Sequence, residues 1–267
     1  MVRPPAVAGR FYASDAGELA RQVRQFCLPN AAKAAARGCL APHAGYMYSG
    51  HVAGAVYSSL DIPSRCILLG PRHFPGGAPM AILTEGSWRT PLGEEQIDPE
   101  LGRELALACP HLREDAVAHE REHSLEVQLP FLRQLAGDFR FVPVVLATDR
   151  YAVLEELGHA VARVVAARTE PVLVIASSDM NHYESDTITR SKDARAIERI
   201  LALDPRGLYD TVRSEGITMC GYAATAAMLV AMLDLRAKEA KLVRYATSGD
   251  VTGDRDEVVG YVGIVIR

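Results

Sequence analysis

Three stretches of the chain each place a metal-binding or proton-transferring side chain directly after a short apolar run. His43 stands in Pro42-His43-Ala44-Gly45-Tyr46-Met47-Tyr48-Ser49-Gly50, just past Gly38 to Ala41. His73 ends Gly70-Pro71-Arg72-His73 after Arg65 to Leu69, and Asp179 and His182 lie in Ser177-Ser178-Asp179-Met180-Asn181-His182 after Pro171 to Ala176. Imidazoles combined with a carboxylate suit a divalent transition metal. Asp179 and His182 also fit an acid/base pair in which the carboxylate fixes the imidazole's tautomer. A second arrangement is His119-Glu120-Arg121-Glu122-His123, which satisfies both the H-E-x-x-H zinc-hydrolase pattern and its reverse, provided one helix carries both histidines. Ser124 reads as an N-cap ahead of Leu125, Val127, Leu129 and Leu132, with Pro130 in the opening turns, so the helix is expected to begin after the motif and to separate the two histidines. Cys220 precedes a helix, where amide dipoles favour a thiolate. Asp250, Asp254 and Asp256 lack EF-hand spacing and read as a solvated turn. No nucleophile elbow, P-loop or dinucleotide fingerprint is present.

The elements that must position these groups alternate. Arg65 to Leu69, Phe139 to Leu146 and Pro171 to Ala176 read as buried strands. Helical spacing covers His51 to Leu60, Pro99 to Cys109, Ser124 to Leu135, Tyr151 to Ala167, Ser191 to Leu201 and Gly221 to Leu235. Alternation of this kind implies right-handed crossovers and a largely parallel sheet with helices on both faces. Ligands in such sheets bind beyond the carboxyl ends of the strands, where His43, His73, Asp179 and His182 would converge. Lys241 to Thr247 and Val258 to Ile266 read as an antiparallel edge pair joined by a loop too short for a helix. The expectation is one α/β domain over residues 1 to 267.

Composition narrows the function classes. Lys and Arg number 29 against 33 Asp and Glu, a formal charge of −4 that lacks the basic excess of nucleic-acid binding. No apolar run reaches the roughly 18 residues of a membrane span, and Met1 to Arg10 does not read as a secretory leader, so a cytoplasmic location is expected. The five cysteines are scattered without a Cys-x-x-Cys pair, which argues against a disulfide framework.

Several segments together carry a family resemblance. Arg3-Pro4-Pro5-Ala6-Val7-Ala8-Gly9-Arg10-Phe11-Tyr12, Ala41-Pro42-His43-Ala44-Gly45-Tyr46, Glu122-His123-Ser124-Leu125-Glu126 and Ser177-Ser178-Asp179 are similar to those of Memo-like proteins, called AmmeMemoRadiSam system protein B in prokaryotes. The similarity spans nearly the whole chain. It implies a three-layer α/β/α sandwich related in fold to class III extradiol dioxygenases. It further implies that His43, His73 and Cys220 ligate a redox metal, with Asp179 and His182 completing the pocket. A cysteine in place of the dioxygenases' carboxylate ligand softens the site, so Fe(II) is the expected ion and copper or zinc are accommodated alternatives. The expected function is that of a non-haem iron or copper oxidoreductase acting on a small molecule or peptide. The pocket is expected to include Tyr48, Arg72 and His123. Two alternatives stand beside that function: a non-catalytic phosphopeptide-binding module using the same pocket with Tyr48 as a wall residue, disfavoured because Arg72 is the only arginine placed near it where phosphate capture calls for a cluster, and a zinc hydrolase at His119 and His123.

Overall fold

The computed structural model describes residues 1–267. Its centre is a run of strands that the sequence makes apolar on both faces: β1 (Gly38–Ala41), β2 (Arg65–Pro71), β3 (Arg140–Leu146) and β4 (Leu173–Ser177). They lie in the order β3-β2-β4-β1 and every pair is parallel. Alternate residues leave on opposite faces of a strand, and here each face meets its own core. Ile67, Leu69, Val142, Val144, Val174 and Ala176 face one cluster, while Cys66, Leu68, Phe141, Val145, Leu173 and Ile175 face the other.

The helices supply the two outer layers. On the second core lie α1 (Ala16–Phe26), α2 (Tyr46–Ser58) and α4 (Leu129–Ala136); on the first lie α3 (Pro99–Ala108), α5 (Tyr151–Ala166), α6 (Asp186–Leu201), α7 (Pro205–Ser214) and α8 (Tyr222–Asp234). The product is the expected α/β sandwich. At one end of the sheet β5 (Ala240–Thr247) and β6 (Val258–Ile266) form the antiparallel pair, with β6 also antiparallel to β1. The other end is built from short strands, Met80–Ile82 against β3 and the hairpin of Ser87–Thr90 with Gly93–Ile97, none of which was read from the sequence.

Several expectations need correction. The loop between β5 and β6 holds a helical turn, Gly249–Thr252, closed by left-handed Gly253. Asp250 serves it as a structural acceptor: it takes the Thr247 amide and pairs with Arg190 and Arg255. Ser124 is not an N-cap, because its hydroxyl donates to the Pro71 carbonyl (2.9 Å); a 3₁₀ turn, Glu126–Gln128, leads into α4, with Pro130 in the first turn where a missing N–H costs nothing. Helices α1 and α7 were unforeseen although Asp15 and Asp204 cap them.

Candidate functional site

The carboxyl ends of three adjacent parallel strands, β2, β4 and β1, open on one crevice. His43 comes from the loop after β1, His73 from the loop after β2, Asp179 from the loop after β4, and His182 from the start of the short strand His182–Glu184 that pairs antiparallel with β6. His123 joins them from the connection before α4. That connection closes down on β2 because residue 70 is glycine: a Cβ there would meet Leu125 Cδ2 at 2.7 Å and Ser124 Oγ at 2.9 Å. The crevice is a cavity of about 450 Å³ lined by all five of these groups and by Tyr48.

His43, His73 and His123 bring one nitrogen each to within 4.8 Å of the others. Their rings pack edge-on or stacked, with centroids 5.1 Å apart for His43 and His73 and 4.5 Å for His73 and His123. Hydrogen-bond counting sets their tautomers. Ser177 Oγ donates its one proton to the Ser124 carbonyl (2.6 Å) and accepts from Gln128 Nε2 (2.9 Å), so its 2.9 Å contact with His43 Nδ1 requires the proton to sit on Nδ1. His73 Nδ1 lies 2.9 Å from a Glu122 carboxylate oxygen and His182 Nδ1 lies 2.9 Å from the Thr218 carbonyl; both partners only accept. All three imidazoles therefore carry a proton on Nδ1, which leaves Nε2 as the atom each can offer a metal.

Glu122 is the most heavily used of the groups the sequence reading passed over. Its fully buried carboxylate accepts from the amides of His73 (2.5 Å), His123 (2.8 Å) and Ser124 (2.8 Å) as well as from the His73 ring. Burial alone would raise its carboxyl, but the ring and amide of His73, with the His123 ring adding to them, outweigh that and hold it at about 2, so the acid stays ionised. Arg3, itself paired to buried Glu126 (2.6 Å), fastens the same turn by donating to the carbonyls of His119 and Glu122. The signal was available as the second acid of the His119-to-His123 motif.

Burial keeps the other imidazoles uncharged. It lowers His43 well below its usual value, with the neighbouring imidazoles adding to the effect, and brings His123 to about 4; His182 is lowered for the same reason. Asp179 goes the other way. Burial raises its carboxyl to about 6, even though the amides of His43 (2.8 Å) and Ala44 (3.3 Å) bind it. Its second oxygen lies 4.0 Å from His43 Nε2. The carboxylate expected to orient His182 thus faces His43, and Thr218 orients His182 instead.

Cys220 is brought in at the start of α8 because Gly221 lets the chain touch β4, where a Cβ would sit 2.3 Å from the Ser177 carbonyl oxygen. Its Sγ lies 3.2 Å from His43 Nε2 and accepts from the Asp179 amide at 3.3 Å. It is not among the residues lining the cavity, whereas the nitrogens of His43, His73 and His123 gather within 4.8 Å of one another; the sulfur adjoins that trio at His43 Nε2. Burial and the Asp179 carboxylate push the thiol up, opposite to the depression expected from its place before a helix.

Two predicted roles fail on geometry. Arg72, expected in the pocket, spends its guanidinium on the carbonyls of Gly76, Gly77 and Ala78, bracing its own loop, and does not line the cavity. His119 ends up fully buried against Trp88, with ring centroids 5.7 Å apart, beside a different cavity from His123. The helical turn Val117–Glu120 stops before His123, and the zinc-hydrolase arrangement does not form. Unforeseen lining residues are Arg10, Phe11, Tyr183, Val259 and Tyr261.

Comparison with known proteins agrees with this architecture. A MEMO1 family protein of Methanopyrus kandleri is 43% identical over 282 residues, covering 100% of this chain and 99% of its own. One of Methanothermobacter thermautotrophicus is 40% identical, over 98% and 99%, and one of Thermotoga petrophila 39%, over the whole of both. The crystal structure of an uncharacterized Escherichia coli K12 protein superposes with a TM-score of 0.52, covering 86% of this chain and 99% of that one at 14% identity, and so shares the fold. The description "Memo-like protein" fits residues 3–265. On that match, and on relatives that align from end to end, the chain belongs to the Memo-like protein family.

Proposed function

We propose that the crevice is a mononuclear metal centre of a non-haem iron or copper oxidoreductase. His43 and His73 are its fixed donors, His123 is the third imidazole, and Cys220 is a thiolate donor beside His43 Nε2. One observation carries the reading: Nδ1 of His43 and of His73 is committed to a protein acceptor, so each ring has only Nε2 left to offer, and nitrogens of His43, His73 and His123 gather within 4.8 Å of one another. Imidazole with thiolate is a borderline-to-soft set that suits iron, copper and zinc. A bound redox metal supplies one-electron chemistry toward oxygen or an oxidisable substrate.

The chain's own groups do the rest. Glu122 and Ser177 hold two imidazoles in the ligating tautomer. His182, with Nδ1–H held by Thr218, offers a neutral Nε2 as proton acceptor at the cavity wall. Asp179, raised toward neutrality, holds or yields a proton beside His43. The substrate is a small molecule held in the cavity that Tyr48 also lines. Support for one domain over residues 1 to 267 comes from a sheet that takes strands from Val2–Arg3 through β6. A cytoplasmic setting accords with reduced, unpaired cysteines; no helix is long and apolar enough to cross a membrane.

Elemental analysis of anaerobically purified protein tests the reading. Iron or copper is expected near one per chain, lost in His43→Ala and Cys220→Ala and kept in His119→Ala. Loss confined to His119→Ala would move the site to the other cavity, and metal content indifferent to all three would end the proposal.

A further inference from the structure

Arg10 borders the crevice with nothing to pair with. Its side chain is exposed and makes no ion pair, whereas Arg72 and Arg3 are consumed by carbonyls and by Glu126. It is the only lysine or arginine in the cavity lining, close enough to His123 to disfavour that ring's charged form. The remaining walls are largely aromatic: Phe11, whose ring lies 4.8 Å from that of His123, with Tyr48, Tyr183 and Tyr261. Tyr183 is 73% exposed and held at φ +60°, a left-handed conformation that a bulky residue adopts only when its surroundings impose it. The imposed conformation follows His182, whose amide donates to Thr218 Oγ1 at 2.7 Å.

Resting on the metal-centre reading, we propose that the substrate is a planar aromatic monoanion whose carboxylate pairs with Arg10 while its ring lies among the tyrosines and Phe11 and its far end meets the imidazoles. The flat fork of one guanidinium matches a carboxylate with two parallel hydrogen bonds. A dianionic phosphate ester calls for several such donors, and this crevice offers one, with the Asp179 carboxyl also in its lining. Aromatic walls favour a flat apolar body over an aliphatic chain because rings pack edge-to-face and stacked.

The test uses benzoate, its neutral isostere benzamide, and phenyl phosphate, titrated calorimetrically into the full chain as purified, with metal content measured on the same samples. Benzoate is expected to bind at least tenfold more tightly than benzamide and more tightly than phenyl phosphate. Arg10→Ala should erase the benzoate advantage and leave benzamide unchanged; Arg10→Lys should keep part of it; Phe11→Ala should weaken benzoate and benzamide alike. Equal affinities for benzoate and benzamide, no binding of either, or phenyl phosphate as the tightest ligand each overturn the inference. A benzoate preference surviving Arg10→Ala does so too, since the anion would then be held elsewhere. Metal-loaded protein with no carboxylate preference refutes this inference alone, whereas a carboxylate preference in protein that takes up no metal refutes the metal-centre reading alone.

Discussion

Glu122→Gln separates a carboxylate that merely fills space from one that sets the donor chemistry of the site. In the native protein one Glu122 oxygen accepts from the His73 ring and from the amides of His123 and Ser124, and the other accepts from the His73 amide. Glutamine keeps the volume and one acceptor oxygen, but its NH₂ must then face a donor. One hydrogen bond is lost, and three fall from charge-assisted to neutral, each losing roughly half its strength. The buried carboxylate's desolvation cost disappears at the same time, which returns part of the loss. The balance is a destabilisation of about 2–3 kcal/mol, read as a lower midpoint in urea unfolding at unchanged slope. The His73 ring meanwhile exchanges a charged acceptor for a neutral one and becomes a poorer donor to a metal. Loss of such a supporting carboxylate weakens metal binding by about 10- to 100-fold. Competition against a chromophoric chelator measures this directly, with the exposed neighbour Glu120→Gln as the control. Metal affinity unchanged in a destabilised Glu122→Gln protein would reduce Glu122 to a structural acceptor, and a variant unchanged in both respects would refute the hydrogen-bond assignment itself.

Two further outcomes follow from the same physics. In metal-free protein near pH 7, nitrogen-15 NMR of the imidazoles should show His43, His73 and His182 with the proton on Nδ1; an Nε2–H tautomer at His43 would mean that Ser177 does not donate to the Ser124 carbonyl. His119, with both ring nitrogens buried and unbonded, is lowered by burial, and secondarily by Arg3, to about 3. The unfolded chain therefore binds a proton near pH 6.5 that the folded one refuses until about pH 3, so stability present above 6.5 is lost as pH falls through that window, by up to about 5 kcal/mol. His119→Leu should flatten this acid limb in pH-resolved unfolding, and an unaltered limb would place the titration elsewhere.

Much of the architecture was open to reading in one dimension because strand and helix periodicity are local. Ile67 and Leu69 against Cys66 and Leu68 already announce a strand buried on both faces, and such strands separated by helices admit few topologies. From that alone His43, His73, Asp179 and His182 could be sent to one crevice. Short strands such as Ser87–Thr90 and Gly93–Ile97 escaped because polar residues there are stabilised by pairing with distant chain rather than by their own pattern. The partners of each site residue escaped for the same reason. Which nitrogen of His43 carries the proton depends on Ser177, Gln128 and Ser124, and which arginine is left free depends on where carbonyls 76 to 78 fold back. The division between His119, sealed against Trp88, and His123, four residues on and open to the crevice, is likewise a matter of which distant groups arrive at each. Spacing along a chain reports which groups share an element. Burial, tautomer and pairing are set by contacts between distant segments, 134 residues apart for His43 and Ser177, and those come into being only when the sheet closes.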